Sequence, residues 1–263
     1  MKTALIAGNG LLPVELAKKL SEHEKILILA IRDDPEILKP YAEKLIHFKT
    51  PLISRAVREV KDYGIERLFM AGGISKRVIY FLPLLLFDKL SRRILRESMR
   101  DDHSLLGSVV KIFESEGVKV IPYWQILPEF MASKGTLNSR PPSENEMNDI
   151  NYGRDILKIT LPCSFGQSIV IADRAVVAIE AMEGTDKMIA RAGELVHRGV
   201  LVKMMRSDQD LRYDLPTVGA NTIENMHNAG LTCLAVESGR TLILEPDKFF
   251  NLSEKYKISV IGI

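Results

Sequence analysis

The first half of the chain alternates short apolar segments with longer amphipathic ones. Helices are predicted at residues 13–20, where Pro13 suits the first helical turn, and at residues 53–62, whose apolar side chains share one face. Strands that alternate with helices need crossover connections, so this half is predicted to form a Rossmann-like parallel sheet. The apolar segments predict strands at residues 5–7, 26–30, 45–48, 67–71 and 118–121.

The pattern changes after Trp124. Residues 136–144 are rich in loop-forming side chains and predict a linker, after which a helix is predicted over 144–159. Two apolar runs separated by Ala172, Asp173 and Arg174 predict a β-hairpin, so the second half opens with antiparallel strands. Further elements are predicted as strands at 200–203, 233–236 and 241–244 and helices at 186–196 and 222–229.

These patterns predict an α/β protein of two domains. Residues 1–135 are predicted to form a Rossmann-like domain, and residues 136–165 a linker and connecting helix. Residues 166–263 are predicted to form a domain of mixed α/β, or α+β, type.

Composition narrows the classes of function. The formal net charge is +2, so no charge excess predicts a nucleic-acid partner. Cys163 and Cys233 lack paired spacing, which indicates neither a disulfide framework nor a zinc site. The N-terminal apolar segment is interrupted at Gly8, too early for a signal peptide, so the protein is expected in the cytoplasm.

An apolar run at residues 78–87 precedes a basic segment at 89–96. The run contains Pro83 and is shorter than the roughly 20 residues that span a bilayer, so no transmembrane helix is predicted. Two interpretations are open: peripheral contact with the cytoplasmic face of the inner membrane, or a buried helix with one solvated face. The second is the more common outcome for such a pattern.

Two glycine turns follow predicted strands. Gly8, Asn9 and Gly10 precede the first helix, where backbone N–H groups and the helix dipole can bind phosphate. Gly72 and Gly73 follow another strand and are followed by Lys76. In a parallel sheet both turns lie at the carboxyl ends of their strands, where ligands bind. Tight turns that need glycine are the alternative.

Acidic side chains cluster in the second half. Asp210 and Asp214 lie four residues apart in a segment bounded by Pro216 and Gly219, and Asp186 follows the Gly184-Thr185 turn. Carboxylates suit Mg²⁺, which binds through one or two protein oxygens plus substrate phosphate. Helix capping at Asp186 and a solvated loop at Asp210 are the alternatives. Glu183 is a further candidate ligand for a metal or sugar, and Glu237 either lines the same pocket or is a charge at the strand edge.

An ordered set of motifs resembles the LpxI-type UDP-2,3-diacylglucosamine pyrophosphatases of lipid A synthesis. Gly8-Asn-Gly-Leu-Leu-Pro13 and the segment 101–106 are similar to its N-terminal motifs, so the resemblance covers nearly the whole chain. Ser207 and Asp208 stand where the family usually has Lys-Pro. The motifs of the second half are Gln167-Ser-Ile-Val170, Glu183-Gly-Thr-Asp186, Ala192-Gly-Glu194, Gln209-Asp-Leu-Arg-Tyr-Asp-Leu-Pro-Thr-Val-Gly219, Ala229-Gly-Leu231 and Ala235-Val-Glu-Ser-Gly-Arg240.

The resemblance implies a hydrolase that cleaves its lipid-linked nucleotide sugar to UMP and 2,3-diacylglucosamine 1-phosphate. Water would attack the α-phosphorus with Mg²⁺, or another divalent cation such as Mn²⁺, and the active-site cleft would lie between two domains. The resemblance implies that residues 1–135 bind the nucleotide sugar and that residues 166–263 form the catalytic domain. The essential aspartate maps by position to Asp214, with Asp210 second, and Arg212, Lys203 and Arg206 are candidates to stabilise phosphate charge. The expected metal ligands are Asp214, Asp210 and Asp186. The expected substrate-binding residues are Gly8, Asn9, Gly10, Gly72, Gly73, Lys76, Gly184, Thr185, Lys203, Gln209, Thr217, Gly219 and Glu237.

Two other functions are open on the sequence. A nucleotide-binding module without catalysis would need the glycine turns but not the acids. A nicotinamide-dependent oxidoreductase is disfavoured because Pro13 occupies the place of the third glycine of the dinucleotide fingerprint. A homodimer and a monomer are both compatible with the sequence.

Overall fold

The structure, a computed structural model, describes residues 1–73, 87–97, 102–206 and 209–263. Lys76, residues 78–86 of the apolar run, and Ser207 and Asp208 lie outside the described residues. The chain divides into two compact units, Met1–Pro128 with Asp210–Asp214, and Glu129–Gln209 with Leu215–Ile263. Each unit is described by itself.

The first unit is built on a five-stranded parallel sheet of order β3-β2-β1-β4-β5. Its central strands are apolar except for Thr3 and Arg67 at their first positions, and Leu5, Ile28 and Phe69 are completely buried. This confirms the predicted Rossmann-like parallel sheet, because a strand covered on both faces carries an almost continuous apolar run. The strands are β1 (Thr3–Ala7), β2 (Ile26–Ala30), β3 (Ala42–His47), β4 (Arg67–Ala71) and β5 (Lys119–Val120).

Four described helices accompany this sheet. They are α1 (Leu12–Ser21), α2 (Ile53–Asp62), α3 (Lys89–Glu97) and α4 (Asp102–Ser115). The Asp88 carboxylate accepts the Ser91 N–H at 2.8 Å and so caps α3, and the Ser91 hydroxyl accepts the Ile53 N–H at 3.0 Å at the start of α2. Ile94 of the basic helix α3 is buried while Arg93 is exposed.

The second unit contains a six-stranded mixed sheet of order β6-β13-β11-β9-β7-β8. Strands β9, β11 and β13 are parallel, whereas β7 runs antiparallel to both β8 and β9. The prediction of a mixed sheet that opens with an antiparallel pair is confirmed. The strands are β6 (Gly135–Thr136), β7 (Ser168–Ala172), β8 (Ala175–Ile179), β9 (Val200–Lys203), β11 (Cys233–Val236) and β13 (Ser259–Gly262); β10 (Thr217–Val218) and β12 (Leu242–Ile243) form a separate parallel pair.

The predicted hairpin turn is present at Asp173 and Arg174, both with positive φ. Non-glycine residues adopt this conformation at a cost, and a two-residue hairpin of this twist requires it at both positions. The Asp149 carboxylate offsets that cost by accepting the N–H of Asp173 at 3.1 Å and of Arg174 at 2.7 Å.

Helices cover both faces of the mixed sheet. Helix α5 (Glu144–Thr160) packs Ile150 and Leu157 on one face, and Gly153 lets it approach, since an added Cβ would lie 2.9 Å from Ile171 and Val202. The other face is covered by α6 (Thr185–Gly193), α7 (Ala220–Asn228) and α8 (Pro246–Lys255).

The division of the chain differs from the predicted boundaries in two places. Residues 136–165, expected as a linker and connecting helix, are part of the second unit, because β6 pairs with β13 and α5 packs on its sheet. The segment Asp210–Asp214, expected in the second domain, belongs to the first unit. No helix in the described part of the chain is long and apolar enough to cross a membrane.

Glu146 is a buried acid of the second unit whose carboxylate accepts hydrogen bonds from three residues, and it provides a test of stability. It is 8% exposed and accepts hydrogen bonds from the Ser143 N–H, the Thr232 hydroxyl and the Arg140 guanidinium at 2.8, 2.7 and 3.0 Å. Burial opposes its ionisation, but these hydrogen bonds prevail and the pKa of Glu146 is lowered.

We expect Glu146→Gln to destabilise the protein by about 1–3 kcal/mol at neutral pH, because an uncharged amide cannot replace the carboxylate's acceptors. A carboxyl group whose pKa is lower in the folded state stabilises above its unfolded pKa, and that stabilisation disappears as pH falls through the folded value. The melting temperatures of wild type and variant should therefore approach each other as the pH falls below the unperturbed glutamate pKa of about 4.3. If the difference in melting temperature between wild type and Glu146→Gln were the same at every pH from about 7 to about 3, the charge of Glu146 would contribute nothing to stability.

Candidate functional site

The two glycine turns meet at the point where the strand order of the first sheet reverses. Strands β1 and β4 are neighbours, while their sequence neighbours extend to opposite sides of the sheet. Gly8 follows β1 and Gly72 follows β4, so both turns lie at the carboxyl ends of adjacent parallel strands. This is the place where open α/β sheets bind ligands.

Hydrogen bonds join the turns directly. The N–H of Asn9 donates to the Gly73 carbonyl at 2.7 Å, and the N–H of Gly73 donates to the Asn9 carbonyl at 3.1 Å. A Cβ on Gly8 would lie 2.6 Å from the Gly73 oxygen, and one on Gly72 would lie 2.5 Å from the Asn9 oxygen. The glycines are therefore required for close approach of two backbones. Because the N–H groups of Asn9 and Gly73 already donate within the protein, they are not the donors of a phosphate cradle.

Arg32, which follows β2, lies beside the first glycine turn. Its guanidinium donates to the Gly10 carbonyl at 3.3 Å, and the Asn9 side-chain oxygen accepts the N–H of Asp33 at 3.0 Å. The Arg32 Nε is buried without a hydrogen-bond partner among the described residues. Sequence reasoning gave Arg32 no role, although a cation soon after an apolar strand was a visible signal.

The acidic segment 210–214 lies against α4 within the first unit. The Arg212 guanidinium is held between two carboxylates, Asp210 at 2.7 Å and Glu114 of α4 at 2.6 Å. The hydrogen bond to Asp210 is the main cause that raises the pKa of Arg212, and the interaction with Glu114 adds to it. The Tyr213 ring is 8% exposed, and burial together with the charge of Asp210 raises its pKa to about 12.

The two predicted catalytic acids of this segment have different surroundings. Asp210 forms an ion pair with Arg212, whose N–H, Nε and Nη2 all donate to it. Asp214 is half-buried, and its N–H donates to the Asp210 carbonyl at 3.0 Å, which closes the turn. Asp210 is therefore occupied in shaping the loop and in holding Arg212.

The metal prediction concerns Asp214, Asp210 and Asp186. Among the residues that the structure describes, no three His, Cys, Asp or Glu side chains form a group that could hold a metal ion. Mg²⁺ does not need such a group, because it keeps several waters and binds through one or two carboxylates and the substrate phosphates. The half-buried Asp214 suits that mode of binding, so the chemistry of the donors fits a substrate-bound Mg²⁺.

In the second unit, two predicted residues end neighbouring parallel strands. Lys203 ends β9, and Glu237 directly follows β11, whose last residue Val236 pairs with Lys203. The Glu237 N–H donates to the Lys203 carbonyl at 3.1 Å, and its carboxylate accepts the Met205 N–H at 2.8 Å. Glu237 thus fixes the backbone that leaves β9.

Lys203 is 9% exposed and lies at the start of α6. Its ammonium donates to the Thr185 hydroxyl at 3.1 Å, and that hydroxyl donates to the Glu180 carboxylate at 2.8 Å. Ser168, which pairs with Lys203 across β7 and β9, has its hydroxyl 3.5 Å from the same Thr185 oxygen. Burial lowers the pKa of Lys203, and the charges of Glu180 and Asp186 oppose that effect.

The remaining predicted residues of the second unit have mostly backbone roles. Gly184 adopts a positive φ of 83° before α6, and Asp186 is exposed in the first turn of that helix. The Gln209 side chain accepts the Arg206 N–H at 2.9 Å, and the Gly219 N–H donates to the Thr222 hydroxyl at 3.3 Å at the start of α7. Thr217 lies in β10.

Glu183 and Glu180 have different partners in the structure. Glu183, a candidate ligand for a metal or sugar, forms an ion pair with Arg191 at 2.7 Å, and the hydrogen bond from Arg191 lowers its pKa. Glu180 accepts from Thr185 beside Lys203. Sequence reasoning gave Ser168 and Glu180 no role at the site; a polar residue in the apolar strand β7 was the available signal for Ser168.

A Rossmann-like parallel-sheet unit with paired glycine turns, joined to a mixed-sheet unit, places the chain in the class of two-domain α/β proteins. The family model described as the LpxI N-terminal domain matches residues 2–130, and that described as the LpxI C-terminal domain matches residues 133–261. The chain therefore belongs to the LpxI family, as the motifs predicted. It is similar to the UDP-2,3-diacylglucosamine pyrophosphatase LpxI of Caulobacter vibrioides, with 28% identity over 276 residues that cover 100% of this chain and 97% of that protein.

Proposed function

We propose that this protein hydrolyses the pyrophosphate bond of UDP-2,3-diacylglucosamine to UMP and 2,3-diacylglucosamine 1-phosphate. The observation that carries the proposal is its similarity over its full length to a protein named for that pyrophosphatase activity. The buried Lys203 and the sheet edge where β1 and β4 end support it, because a buried cation suits a phosphate and open α/β sheets bind ligands at that edge.

The proposed reaction adds one water across the phosphorus–oxygen–phosphorus bridge. A carboxylate that orients or deprotonates this water is the central requirement, and Asp214 is assigned to it because the essential aspartate of the family motif maps to it by position. A bound Mg²⁺ or Mn²⁺ would neutralise pyrophosphate charge and would use Asp214 as its protein ligand, with Asp210 and Asp186 as further candidates. Lys203 and Arg206 are the cations assigned to phosphate charge.

Metal dependence is tested with the purified chain and UDP-2,3-diacylglucosamine. We expect UMP release in the presence of Mg²⁺ or Mn²⁺ and its loss in EDTA, with recovery when excess metal is restored. Activity that persists in EDTA would remove the metal from the proposal but leave the hydrolysis. Absence of UMP release under every metal condition, with a chain that melts cooperatively, would refute the hydrolase.

The position of attack is a separate question, because water on either phosphorus yields the same products. Hydrolysis in water labelled with oxygen-18 distinguishes the two positions. Label in UMP corresponds to the expected attack on the α-phosphorus, whereas label in 2,3-diacylglucosamine 1-phosphate would place the attack on the β-phosphorus. Mass spectrometry of both products gives the answer in one experiment.

The two rival functions make different predictions. A nucleotide-binding module would bind UMP without hydrolysing the substrate. A nicotinamide-dependent oxidoreductase would bind NADH, but an added Cβ on Gly72 would lie 2.6 Å from the Pro13 ring, so that proline already fills the space beside the glycine turn. Fluorescence titration with NADH should therefore show no saturable binding.

Peripheral membrane contact and a homodimer stay predictions. Vesicle flotation tests the membrane contact, and light scattering tests the homodimer.

A further inference from the structure

The Lys203 ammonium is a buried cation whose hydrogen-bonding capacity is mostly unused. An ammonium has three N–H donors, and among the described residues its hydrogen-bond partner is the neutral Thr185 hydroxyl. The side chain takes part in no described ion pair, although it is only 9% exposed. The Glu180 and Asp186 carboxylates act on Lys203 by their charge but form no described ion pair with it, so its spare N–H donors can bind an anionic ligand as a direct partner.

Two features beside Lys203 can act on a phosphate oxygen despite the nearby carboxylates of Glu180 and Asp186. The Thr185 hydroxyl accepts from Lys203 and begins α6, whose first N–H groups have no acceptor within the helix. The positive end of a helix dipole and a buried ammonium act in the same direction on a phosphate oxygen. The buried amine, not the helix end, is the principal feature, because its spare donors need acceptors that the described protein does not provide.

Glu180 fixes the orientation of the Thr185 hydroxyl. One carboxylate oxygen accepts the Thr185 O–H at 2.8 Å, and the other accepts the Gln167 N–H at 3.1 Å. Since the Thr185 proton is donated to Glu180, the Thr185 oxygen is left to accept from Lys203. Glu180 is itself tightly seated, because a Cβ on Gly166 would lie 2.1 Å from the Glu180 carbonyl oxygen.

We propose that Lys203 is the phosphate-binding cation of the second unit, and that Glu180 is a positioning residue that acts on it through Thr185. The inference rests on the proposed function for the identity of the phosphate, which is that of the nucleotide-sugar substrate or its products. The site itself requires only a phosphate oxygen at the unused ammonium donors. Anion binding at a buried amine favours its protonated form, so phosphate should raise the pKa of Lys203.

The direct test is an NMR titration of the full chain with lysine labelled at Cε, using inorganic phosphate as the probe. The Lys203 resonance, assigned by its absence in Lys203→Met, should shift with saturation, and its midpoint of titration should move to higher pH. Lys158→Met is the matched control, because Lys158 is exposed on α5 and paired with Asp155, and it should leave the Lys203 response unchanged. A Lys203 resonance that phosphate does not move would overturn the proposal.

The positioning role is tested by Thr185→Val against Thr185→Ser. Loss of the hydroxyl should weaken phosphate binding about tenfold or more, whereas serine should keep it within roughly threefold, as the strength of hydrogen bonds to charged groups implies. Glu180→Gln should weaken binding and shift the Lys203 midpoint, which a merely structural role would not do. Equal phosphate affinity in Thr185→Val, Thr185→Ser and Glu180→Gln would contradict the positioning role of Glu180 and Thr185.

Hydrolysis and phosphate binding can fail independently. If the substrate is not cleaved but phosphate still moves the Lys203 resonance, the proposed function is refuted and the anion site stands. If the substrate is cleaved, Lys203→Met should raise KM for it more than it lowers kcat, because the cation contributes to binding in the ground state. An unchanged KM in that variant would remove Lys203 from the substrate site.

Discussion

Asp214→Asn is expected to lower kcat for UDP-2,3-diacylglucosamine hydrolysis by about 10²-fold or more, the typical contribution of a positioned acid or base. The substitution keeps the shape of the side chain and removes the charge that would orient water or bind a metal. The Asp214 N–H closes the loop through the Asp210 carbonyl, and the substitution leaves this backbone bond intact. The melting temperature should therefore stay within a few degrees of wild type, and steady-state kinetics with thermal melts measure both.

Asp208→Asn and Asp210→Asn complete this comparison. Asp208 precedes the matching motif and lies outside the described residues, and its substitution should reduce turnover far less. Asp210→Asn removes the ion pair with Arg212, so it should lower the melting temperature as well as activity. Near-normal turnover in Asp214→Asn, or equal losses in Asp208→Asn, would show that the essential acid has been assigned to the wrong residue.

Gly72→Ala is expected to destabilise the first unit by roughly 2–4 kcal/mol, the combined cost of a strained backbone and an overpacked contact. Gly72 has a positive φ of 83°, and an added Cβ would lie 2.5 Å from the Asn9 carbonyl oxygen and 2.6 Å from the Pro13 ring. Both turns would have to separate, which breaks the hydrogen bonds between Asn9 and Gly73. Chemical denaturation gives the change in the free energy of unfolding.

Gly73→Ala is the matched control in the same turn. No atom of the residues that the structure describes lies within 4 Å of an added Cβ at Gly73, and its φ is not in the left-handed region. The change should therefore stay within about 0.5 kcal/mol, as for ordinary surface substitutions. Similar destabilisation by both alanines would mean that the close approach of the turns contributes little to stability.

Much of the secondary structure could be predicted from local pattern. The strands at 26–30 and 67–71 and the helix at 53–62 have the same limits in the structure, because apolar runs and one-sided helices report burial over a few residues. Strands β6, β10 and β13 and helix α8 were not predicted. Two of these strands have only two residues each, too few to show a period.

The sequence by itself determined the fold class, the family and the types of residue available for phosphate chemistry, since these depend on local order along the chain. Only the tertiary structure decided which residues share a site. It assigned Asp210–Asp214 to the first unit, paired Asp210 with Arg212 and Glu183 with Arg191, and brought Glu180 and Thr185 to Lys203. The physical reason is that the periodicity of a strand or helix records how deeply a side chain is buried but not which distant charge or hydroxyl it will meet there.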